Sequence, residues 1–260
     1  AADQRSWLWY ELILYVLNAA FFVAFVALQA NTQTRIEVST ALFAGLTRAK
    51  FPDAPHSLRA ITFSEIQTPQ EWTQFFANVF VPFTAPWAVD APPASSPASG
   101  LNIPLQPAST TFLNLTRLRQ LRVEPYPAGS GACPELPFGS VYFTRRAVCY
   151  PPYSTLTKAS NTSAWAFGKW APYVSSSASG YPSFLGSIVS FPSSGFSGLL
   201  TREFAHAVVD PSQRYVDDAT RLVVASAIAY NPNHDCFALA TCYAEFSMDG
   251  FVYVDADVVV

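Results

Sequence analysis

The chain has 260 residues, of which 50% are hydrophobic and 13% are charged, and its formal net charge is -3. This length is consistent with one or two domains and allows a sizeable core. A net-acidic chain lacks the basic surface that binds nucleic acid through several phosphates, so its composition excludes a general nucleic-acid-binding protein.

Residues 7–29 form a long apolar segment near the start of the chain. No residue from position 12 to position 28 is charged, and three aromatic residues precede this run, namely Trp7, Trp9 and Tyr10. A run of about 17 apolar residues is near the short limit of a membrane-spanning helix, and aromatic residues are typical of its interfacial ends. We therefore expect a transmembrane helix within residues 1–30, with a buried soluble helix and a cleaved signal peptide as the alternatives.

The four cysteines of the chain allow three complete pairings. Cys236 and Cys242 lie in a segment that predicts one continuous strand, which would separate them by roughly 20 Å and exclude a disulfide between them. The sequence between Cys133 and Cys149 contains Gly and Pro and allows the chain to turn back. Four buried thiols that act as small hydrophobic side chains are the alternative to any disulfide.

Two sequons are candidate glycosylation sites, at Asn114 and at Asn161. Sequons occur often by chance, so each one alone carries little weight. Together with the cysteine spacing they favour an oxidising compartment. We therefore expect the chain beyond the apolar segment to be extracytosolic.

Two helices are predicted beyond the apolar segment. Residues 38–49 carry apolar side chains at helical spacing, and Pro52 prevents that helix from continuing. Thr68 and Glu71 form a capping box with a proline between them, which is typical of a helix start. The apolar stripe that follows consists of Trp72, Phe75, Phe76, Val79 and Phe80. We expect Pro82 to end this second helix.

Two segments, 84–110 and 174–198, are rich in Pro, Ala, Ser or Gly and show no periodicity. Such composition is typical of surface excursions rather than of core elements. A third helix is predicted at 199–209, where Asp210 and Pro211 would close it.

The clearest pattern is a β-hairpin near the end of the chain. Residues 221–230 and 236–246 are apolar and rich in Ala or β-branched residues, and residues 231–235 supply turn-forming Asn, Pro and Asp. One face of the hairpin carries only Ala and Cys, which lets a helix approach the sheet closely. The sequence therefore predicts an α+β fold, an antiparallel β-sheet with helices packed on one face, preceded by one transmembrane helix.

No pattern in the sequence predicts an enzyme. The three histidines share no metal-ligand spacing, and neither a nucleophile elbow nor a phosphate-binding glycine loop is present. His234 and Asp235 precede Cys236 within the predicted turn, where polar residues are expected for conformational reasons. Asp255 and Asp257 could hold calcium only weakly, since no calcium-binding loop surrounds them. We predict no catalytic residue, no bound metal and no cofactor.

Residues 117–123 read RLRQLRV and form the densest basic cluster of the chain. An acidic partner is one interpretation, and a strand of the sheet is the other. Three arginines are few for a phosphate-binding groove, which favours the strand.

The order of these motifs resembles the polycystin branch of the TRP-type cation channels. In that family a membrane helix leads into an extracytosolic domain with an arginine-rich strand, a Cys…Cys-Tyr loop, an Asp-x-x-Thr-Arg segment, a Tyr-Asn-x-Asn strand end and a strand closing on Glu-Phe. The matching positions here are 117–123, Cys133, Cys149, Tyr150, Tyr153, Asp217, Thr220, Arg221, Tyr230, Asn231, Asn233, Glu245 and Phe246. Two departures are Tyr215, where the family commonly has Trp, and a strand cysteine displaced to Cys236 or Cys242.

The resemblance implies a division of the chain. Residues 31–252 would form the extracytosolic polycystin-like domain, and residues 253–260 would lead into a second transmembrane helix. It also implies a disulfide between Cys133 and Cys149. The arginines of the basic cluster would be partly exposed, and three of them are candidates for contacts with a neighbouring subunit: Arg117, Arg119 and Arg122.

The function implied by the resemblance is that of a subunit of a tetrameric, calcium-permeable, non-selective cation channel. The fragment would assemble and gate a pore that lies outside it, in a ciliary, flagellar or plasma membrane, with the endoplasmic reticulum as an alternative. Its partners would be membrane lipid and copies of itself or related polycystin subunits, and calcium would be a permeant or regulatory ion. The alternatives are a membrane-anchored adhesion or scaffold domain that tethers extracellular ciliary filaments, and a mucolipin-like endolysosomal channel.

Overall fold

The computed structural model describes the backbone of residues 2–55, 57–88, 110–126, 149–179 and 183–260. In the first helix, side chains are described for residues 16–24 and from residue 32 onward.

The described residues contain four α-helices and eleven strands. The helices are α1 Ala2–Thr47, α2 Pro69–Phe75, α3 Val81–Thr84 and α4 Arg202–Val209. The strands are β1 Phe51–Pro52, β2 Ala60–Ile61, β3 Thr111–Phe112, β4 Arg117–Arg122, β5 Tyr173–Val174, β6 Phe184–Leu185, β7 Ser190–Phe191, β8 Gly195–Leu199, β9 Thr220–Asn231, β10 Cys236–Phe246 and β11 Val252–Val259. Short 3₁₀-helices lie at Phe63–Glu65, Thr162–Ala164 and Pro211–Gln213, and a π-helical segment, Phe76–Phe80, joins α2 to α3.

The main sheet is antiparallel throughout its described strands. Its order is β11-β10-β9-β4-β8-β5, and β3 also pairs with β9. β9 and β10 form the predicted hairpin, in which Cys236 lies opposite Asn231. The prediction of an α+β fold with an antiparallel sheet is confirmed.

The inner face of the sheet is lined by small side chains and is covered by helices. The buried small residues are Ala225, Ala227, Ala229, Ala238, Ala240, Cys242 and Ala244. They belong to the same core cluster as Val38, Leu42 and Leu46 of α1, and α1 contacts both β10 and β11. The predicted close approach of a helix to this face is therefore confirmed.

Helix α1 is continuous over 46 residues, which corresponds to roughly 69 Å at 1.5 Å per residue. The sequence predicted two separate helical segments here, and the structure joins them. Gly45 lies where α1 meets α3, because a Cβ atom at this position would be 2.7 Å from the Phe83 Cζ atom. Among the residues that are described, no helix is both long enough and apolar enough to cross a membrane.

Helix α2 begins at the predicted capping box. The Glu71 backbone N–H donates to Thr68 Oγ1 at 3.2 Å, and the Thr68 N–H donates to the Glu71 carboxylate at 2.9 Å. The predicted apolar stripe is buried. Pro82, however, does not end the helical segment, which continues to Thr84 through the π turn. Pro82 lies in the first turn of α3, a position where proline is tolerated because its missing N–H is not needed there.

The described residues between 174 and 190, part of a predicted surface excursion, are exposed or half-buried, whereas the end of this segment belongs to the main sheet. This segment contains β6, β7 and most of β8, and Phe191 and Phe196 are buried. The segment is rich in Ser and Gly and its strands are short, so no alternation of apolar and polar residues predicts these strands from the sequence. Because Leu199 still belongs to β8, α4 starts only at Arg202, with Thr201 as its N-cap. Most of the other predicted excursion, residues 89–109, lies outside the described residues.

Residues 253–260, expected to lead into a second membrane helix, belong almost entirely to β11. This strand pairs with β10 along its length and is the edge strand of the described sheet. Its buried or half-buried positions alternate with exposed ones, a period of two that suits a half-covered strand. The sheet therefore extends beyond the predicted domain boundary at residue 252.

Candidate functional site

The arginine-rich segment lies at the centre of the sheet. Strand β4 is hydrogen-bonded to β9 on one side and to β8 on the other. The prediction that RLRQLRV forms a strand is confirmed. Its side chains alternate between the two faces, and a register irregularity between Leu121 and Arg122 ends the regular pairing with β9.

The three arginines of β4 have three different environments. Arg117 is exposed, Arg122 is half-buried, and Arg119 is buried at 4% exposure. The expectation of partly exposed arginines is therefore wrong for Arg119. Its Nη1 donates to the Ser193 carbonyl at 3.0 Å, because the chain after β7 crosses over it. Burial lowers the pKa of Arg119 to about 10, and the nearby Tyr153 opposes this shift.

We define the β4 polar cluster as Gln120, Arg122, Asp217, Thr220 and Arg221. Gln120 Nε2 donates to Thr220 Oγ1 at 2.8 Å. Arg122 Nη2 pairs with Asp217 Oδ2 at 2.6 Å. Asp217 Oδ1 accepts from the Thr220 hydroxyl at 3.1 Å, so the turn before β9 is closed on itself and tied to β4. These bonds join two segments that are far apart in the sequence.

Arg221 connects the β4 polar cluster to the segment that follows Cys149. Its Nη2 donates to the Pro151 carbonyl at 3.0 Å and to the Tyr150 carbonyl at 3.3 Å, and its Nη1 donates to the Asp218 carbonyl at 2.7 Å. Burial lowers the pKa of the Arg221 guanidinium, while Asp217 acts in the opposite direction. The guanidinium thus satisfies carbonyl groups that would otherwise lose their hydrogen bonds on burial.

The three cysteines that the structure describes are of two kinds. Cys149 is disulfide-bonded, whereas Cys236 and Cys242 are free thiols. Cys133 lies outside the described residues, so its pairing with Cys149 stays a prediction. Cys242 is fully buried on the inner face, and this burial raises the pKa of its thiol. The thiolate form that nucleophilic chemistry needs is therefore disfavoured at this position.

Both candidate glycosylation sites lie on exposed turns. Asn114 is exposed directly before β4. Asn161 caps a 3₁₀-helix, and its Oδ1 accepts from the backbone N–H of Ser163 at 3.1 Å and from its hydroxyl at 2.7 Å. These bonds occupy the carbonyl oxygen rather than the amide nitrogen, the atom to which a glycan is attached. Glycosylation of either asparagine stays a prediction.

The outer face of the sheet is covered at one end. There a second, smaller apolar cluster, which we call the outer cluster, consists of Leu121, Val123, Tyr153, Phe191, Leu222 and Val224. At the other end, Phe237, Leu239 and Val259 are 60%, 43% and 58% exposed. We call these three residues the bare end, because each of these apolar side chains is exposed; the Tyr230 ring on the neighbouring strand contacts Phe237 at 4.9 Å.

Two groups that shape the site were not predicted. The sequence indicates Gln120 only as part of the basic strand and Glu245 only as part of a Glu-Phe strand end. In both cases a polar residue interrupts an apolar strand, and this is the sequence feature that could have indicated a buried polar contact. Glu245 is buried at 2% exposure and accepts hydrogen bonds from the backbone of residues 187–189.

The polar side chains described above hold separate backbone segments together through hydrogen bonds. Guanidinium groups bind carbonyls, and carboxylates bind amides or an arginine. His234 and Asp235 lie in the hairpin turn as predicted, where Asp235 accepts from the Tyr230 hydroxyl at 2.8 Å. In the described part of the chain, no group of three or more His, Cys, Asp or Glu side chains is placed to hold a metal ion.

Comparison with known proteins adds no assignment. No protein-family model matches the chain, and no curated protein shows significant similarity to it.

Proposed function

We propose that this chain is part of a subunit of a tetrameric, polycystin-like, calcium-permeable cation channel. It would comprise the first membrane helix and the extracytosolic domain that assembles and gates the channel. The observation that carries this proposal is the convergence of the resembling motifs in the β4 polar cluster. Residues matched in three separate segments of the sequence contact one another directly.

The contacts make the motifs one unit. The arginine-rich strand supplies Arg122 to the Asp217 carboxylate of the Asp-x-x-Thr-Arg segment. The arginine of that same segment, Arg221, binds the carbonyls of Tyr150 and Pro151, which follow the disulfide-bonded Cys149. Short matches that arose by chance in separate segments would not be expected to contact one another in the fold. The contacts within the cluster therefore support the resemblance.

The membrane location rests on the sequence of residues 7–29 and on the exposure of part of α1. Large apolar side chains of this helix, among them Leu17 and Phe21, are 61% and 80% exposed. Exposed apolar side chains in succession along a helix suit lipid better than water. The candidate glycans and the disulfide-bonded Cys149 favour an extracytosolic position for the sheet.

Self-association is the testable part of this function. Purification of the full chain in a mild detergent, followed by native mass spectrometry, is expected to give a tetramer at micromolar concentration. Arg117→Glu is expected to weaken the assembly, because Arg117 is exposed and a reversed charge at an interface is unfavourable. Arg59→Glu is the matched control, since Arg59 is 72% exposed on a different part of the domain.

A monomer under these conditions would contradict the channel proposal and favour the scaffold alternative. The same preparation tests the orientation in the membrane. Treatment with an endoglycosidase is expected to lower the mass of chain produced in a secretory pathway, and a chain without any glycan would remove this support.

A further inference from the structure

A short hairpin lies across the covered end of the outer face. We call residues 183–191 the strap; it contains β6 and β7, which pair only with each other among the described strands. Phe184 meets Tyr243 of β10 at a ring distance of 4.2 Å, and Phe191 meets Tyr153 at 4.9 Å. The strap is therefore not a strand of the main sheet; it covers Tyr243 of β10 and Tyr153 of the segment that follows Cys149.

One carboxylate holds the tip of the strap. Glu245 Oε2 accepts from the backbone N–H of Ser187 at 2.6 Å and of Ile188 at 3.0 Å. Its Oε1 accepts from the N–H of Ile188 at 3.1 Å and of Val189 at 3.0 Å. Glu245 is 2% exposed, and no cation pairs with it in the described chain. Three consecutive amides thus provide the hydrogen bonds that a buried carboxylate requires.

The strap is shaped to receive this carboxylate. A Cβ atom on Gly186 would lie 2.6 Å from Glu245 Oε2, so only glycine lets the backbone approach so closely. At the other end of the strap, Arg119 donates to the carbonyls of Pro192 and Ser193. One buried anion binds strap amides, and one buried cation binds the carbonyls at its exit.

The strap also belongs to a separate part of the core. Its residues Phe184, Val189 and Phe191 pack in the outer cluster, whereas the helices and the inner face share the main core cluster. Displacing the strap would remove no side chain from the main core cluster. It would expose Tyr153 and Tyr243, which lie on the same face as the bare end.

We propose that the strap is a lid that opens independently of the domain, and that Glu245 is the latch that keeps it closed. In the closed state the strap covers Tyr153 and Tyr243. In the open state Tyr153 and Tyr243 become exposed on the outer face, and a polar row of Ser226, Thr241 and Asp257 separates them from the bare end. This inference does not depend on the channel proposal, since it concerns only the local stability of residues 183–191.

Hydrogen exchange of the full chain in detergent, read by mass spectrometry on peptides, tests the lid. In the unmodified chain, peptides covering 183–191 are expected to exchange by a local opening that depends little on denaturant. Peptides covering β9 and β10 are expected to exchange only through global unfolding, with a strong dependence on denaturant. Equal rates and equal denaturant dependence in both regions would overturn the proposal.

The variant Glu245→Gln tests the latch. One carboxylate oxygen becomes an NH₂ group that faces backbone donors, so exchange at 187–189 is expected to accelerate by about tenfold or more. Gly186→Ala is expected to give the same local acceleration from the strap side. Asp257→Asn is the matched control, an exposed carboxylate on β11 that should change nothing. Unchanged exchange in the strap, or a uniform acceleration across β9 and β10, would overturn the role of Glu245.

Discussion

The two faces of the main sheet are covered in different ways. The inner face has Ala and Cys side chains along β9 and β10, and α1 packs directly on it. The outer face has large side chains on the same strands, and a nine-residue strap covers only one of its ends. Small side chains let the backbone of a long helix lie close to the sheet, so one helix buries a large part of that face. Large side chains keep a covering element farther away, so the outer face is buried only where particular side chains meet.

The two faces therefore contribute differently to the stability of the domain. On the inner face every apolar group lies in one continuous core, so its loss is felt by the whole domain. On the outer face burial depends on a few polar anchors and one small cluster. The inner face therefore determines the fold, and the outer face is the part that can change its exposed surface.

The largest effect is expected from truncating a helix side chain against the inner face. Leu42 is completely buried in the main core cluster. Leu42→Ala is expected to lower the free energy of unfolding by about 2–5 kcal/mol, because it leaves a cavity that the sheet cannot fill. Denaturant unfolding in detergent, followed by circular dichroism, measures this change.

The same substitution on the bare end is the control. Leu239 is 43% exposed on the outer face, so Leu239→Ala is expected to change the free energy of unfolding by no more than about 0.5 kcal/mol. If both variants lowered the free energy of unfolding equally, Leu239 would be as well packed as Leu42, and the bare end would not be exposed.

A second large effect is expected from Arg221, which anchors the segment that supplies Tyr150 and Tyr153 to the outer cluster. Arg221→Ala leaves the carbonyls of Tyr150 and Pro151 without their donor and should cost about 3 kcal/mol. Denaturant unfolding measures the loss, and hydrogen exchange should locate it at 150–158. Arg59→Ala, an exposed arginine in a long 3.8 Å ion pair, should have almost no effect. A loss confined to β10 and β11 would contradict the anchoring role.

The requirement for small side chains on the inner face can be tested at neighbouring positions of β10. Ala240 is fully buried on the inner face, whereas Thr241 is half-buried on the outer face. Ala240→Leu is expected to destabilise the domain by about 1–3 kcal/mol, because it pushes the overlying elements away from the sheet. Thr241→Leu should be close to neutral. Thermal unfolding of both variants measures the difference, and a neutral Ala240→Leu would show that the inner face is loosely packed.

The smallest effect concerns the pH dependence of the outer cluster. Burial raises the pKa of Tyr153 to about 12, while an unfolded tyrosine titrates near pH 10. Between these values the unfolded chain binds fewer protons, so stability is complete below about pH 10 and is lost as the pH rises towards 12. Tyr153→Phe should make this alkaline decline shallower, with a change at pH 8 below about 1 kcal/mol, since its hydroxyl has no hydrogen-bond partner in the described chain.

Unfolding curves at several alkaline pH values measure this prediction. The control is Tyr253→Phe, whose side chain is 49% exposed on β11. If both variants declined as steeply as the unmodified chain, Tyr153 would not be the group that couples the outer cluster to pH.

The sequence predicted the elements that follow one regular period. The β9–β10 hairpin, the capping box at Thr68 and the strand at 117–122 were all recognised, because side-chain alternation and capping are local properties. Their faces were also predicted, since the Ala and Cys positions of β10 lie two residues apart. The α+β class followed from these elements together.

The rest depended on contacts between distant residues. The Ser- and Gly-rich segment before α4 carries almost no periodicity, yet β8 is fixed there by its pairing with β4. The burial of Arg119 results from a crossing of the chain at 192–193, which no property of residues 117–123 indicates. The role of Glu245 likewise needs the strap to be in place. Side-chain partners across the chain are set by tertiary structure rather than by local pattern.

The central position of β4 has a consequence for biosynthesis. Both of its neighbours come later in the chain, and the bond between Gln120 and Thr220 spans 100 residues. At ribosomal rates, roughly 5 to 20 seconds separate the emergence of these two residues. During that interval both backbone edges of β4 lack their partner strands. The β9–β10 hairpin, in contrast, can form within microseconds after it leaves the ribosome. Completion of the sheet is therefore a late, long-range step that exposes the nascent arginine strand to chaperones or to misassembly.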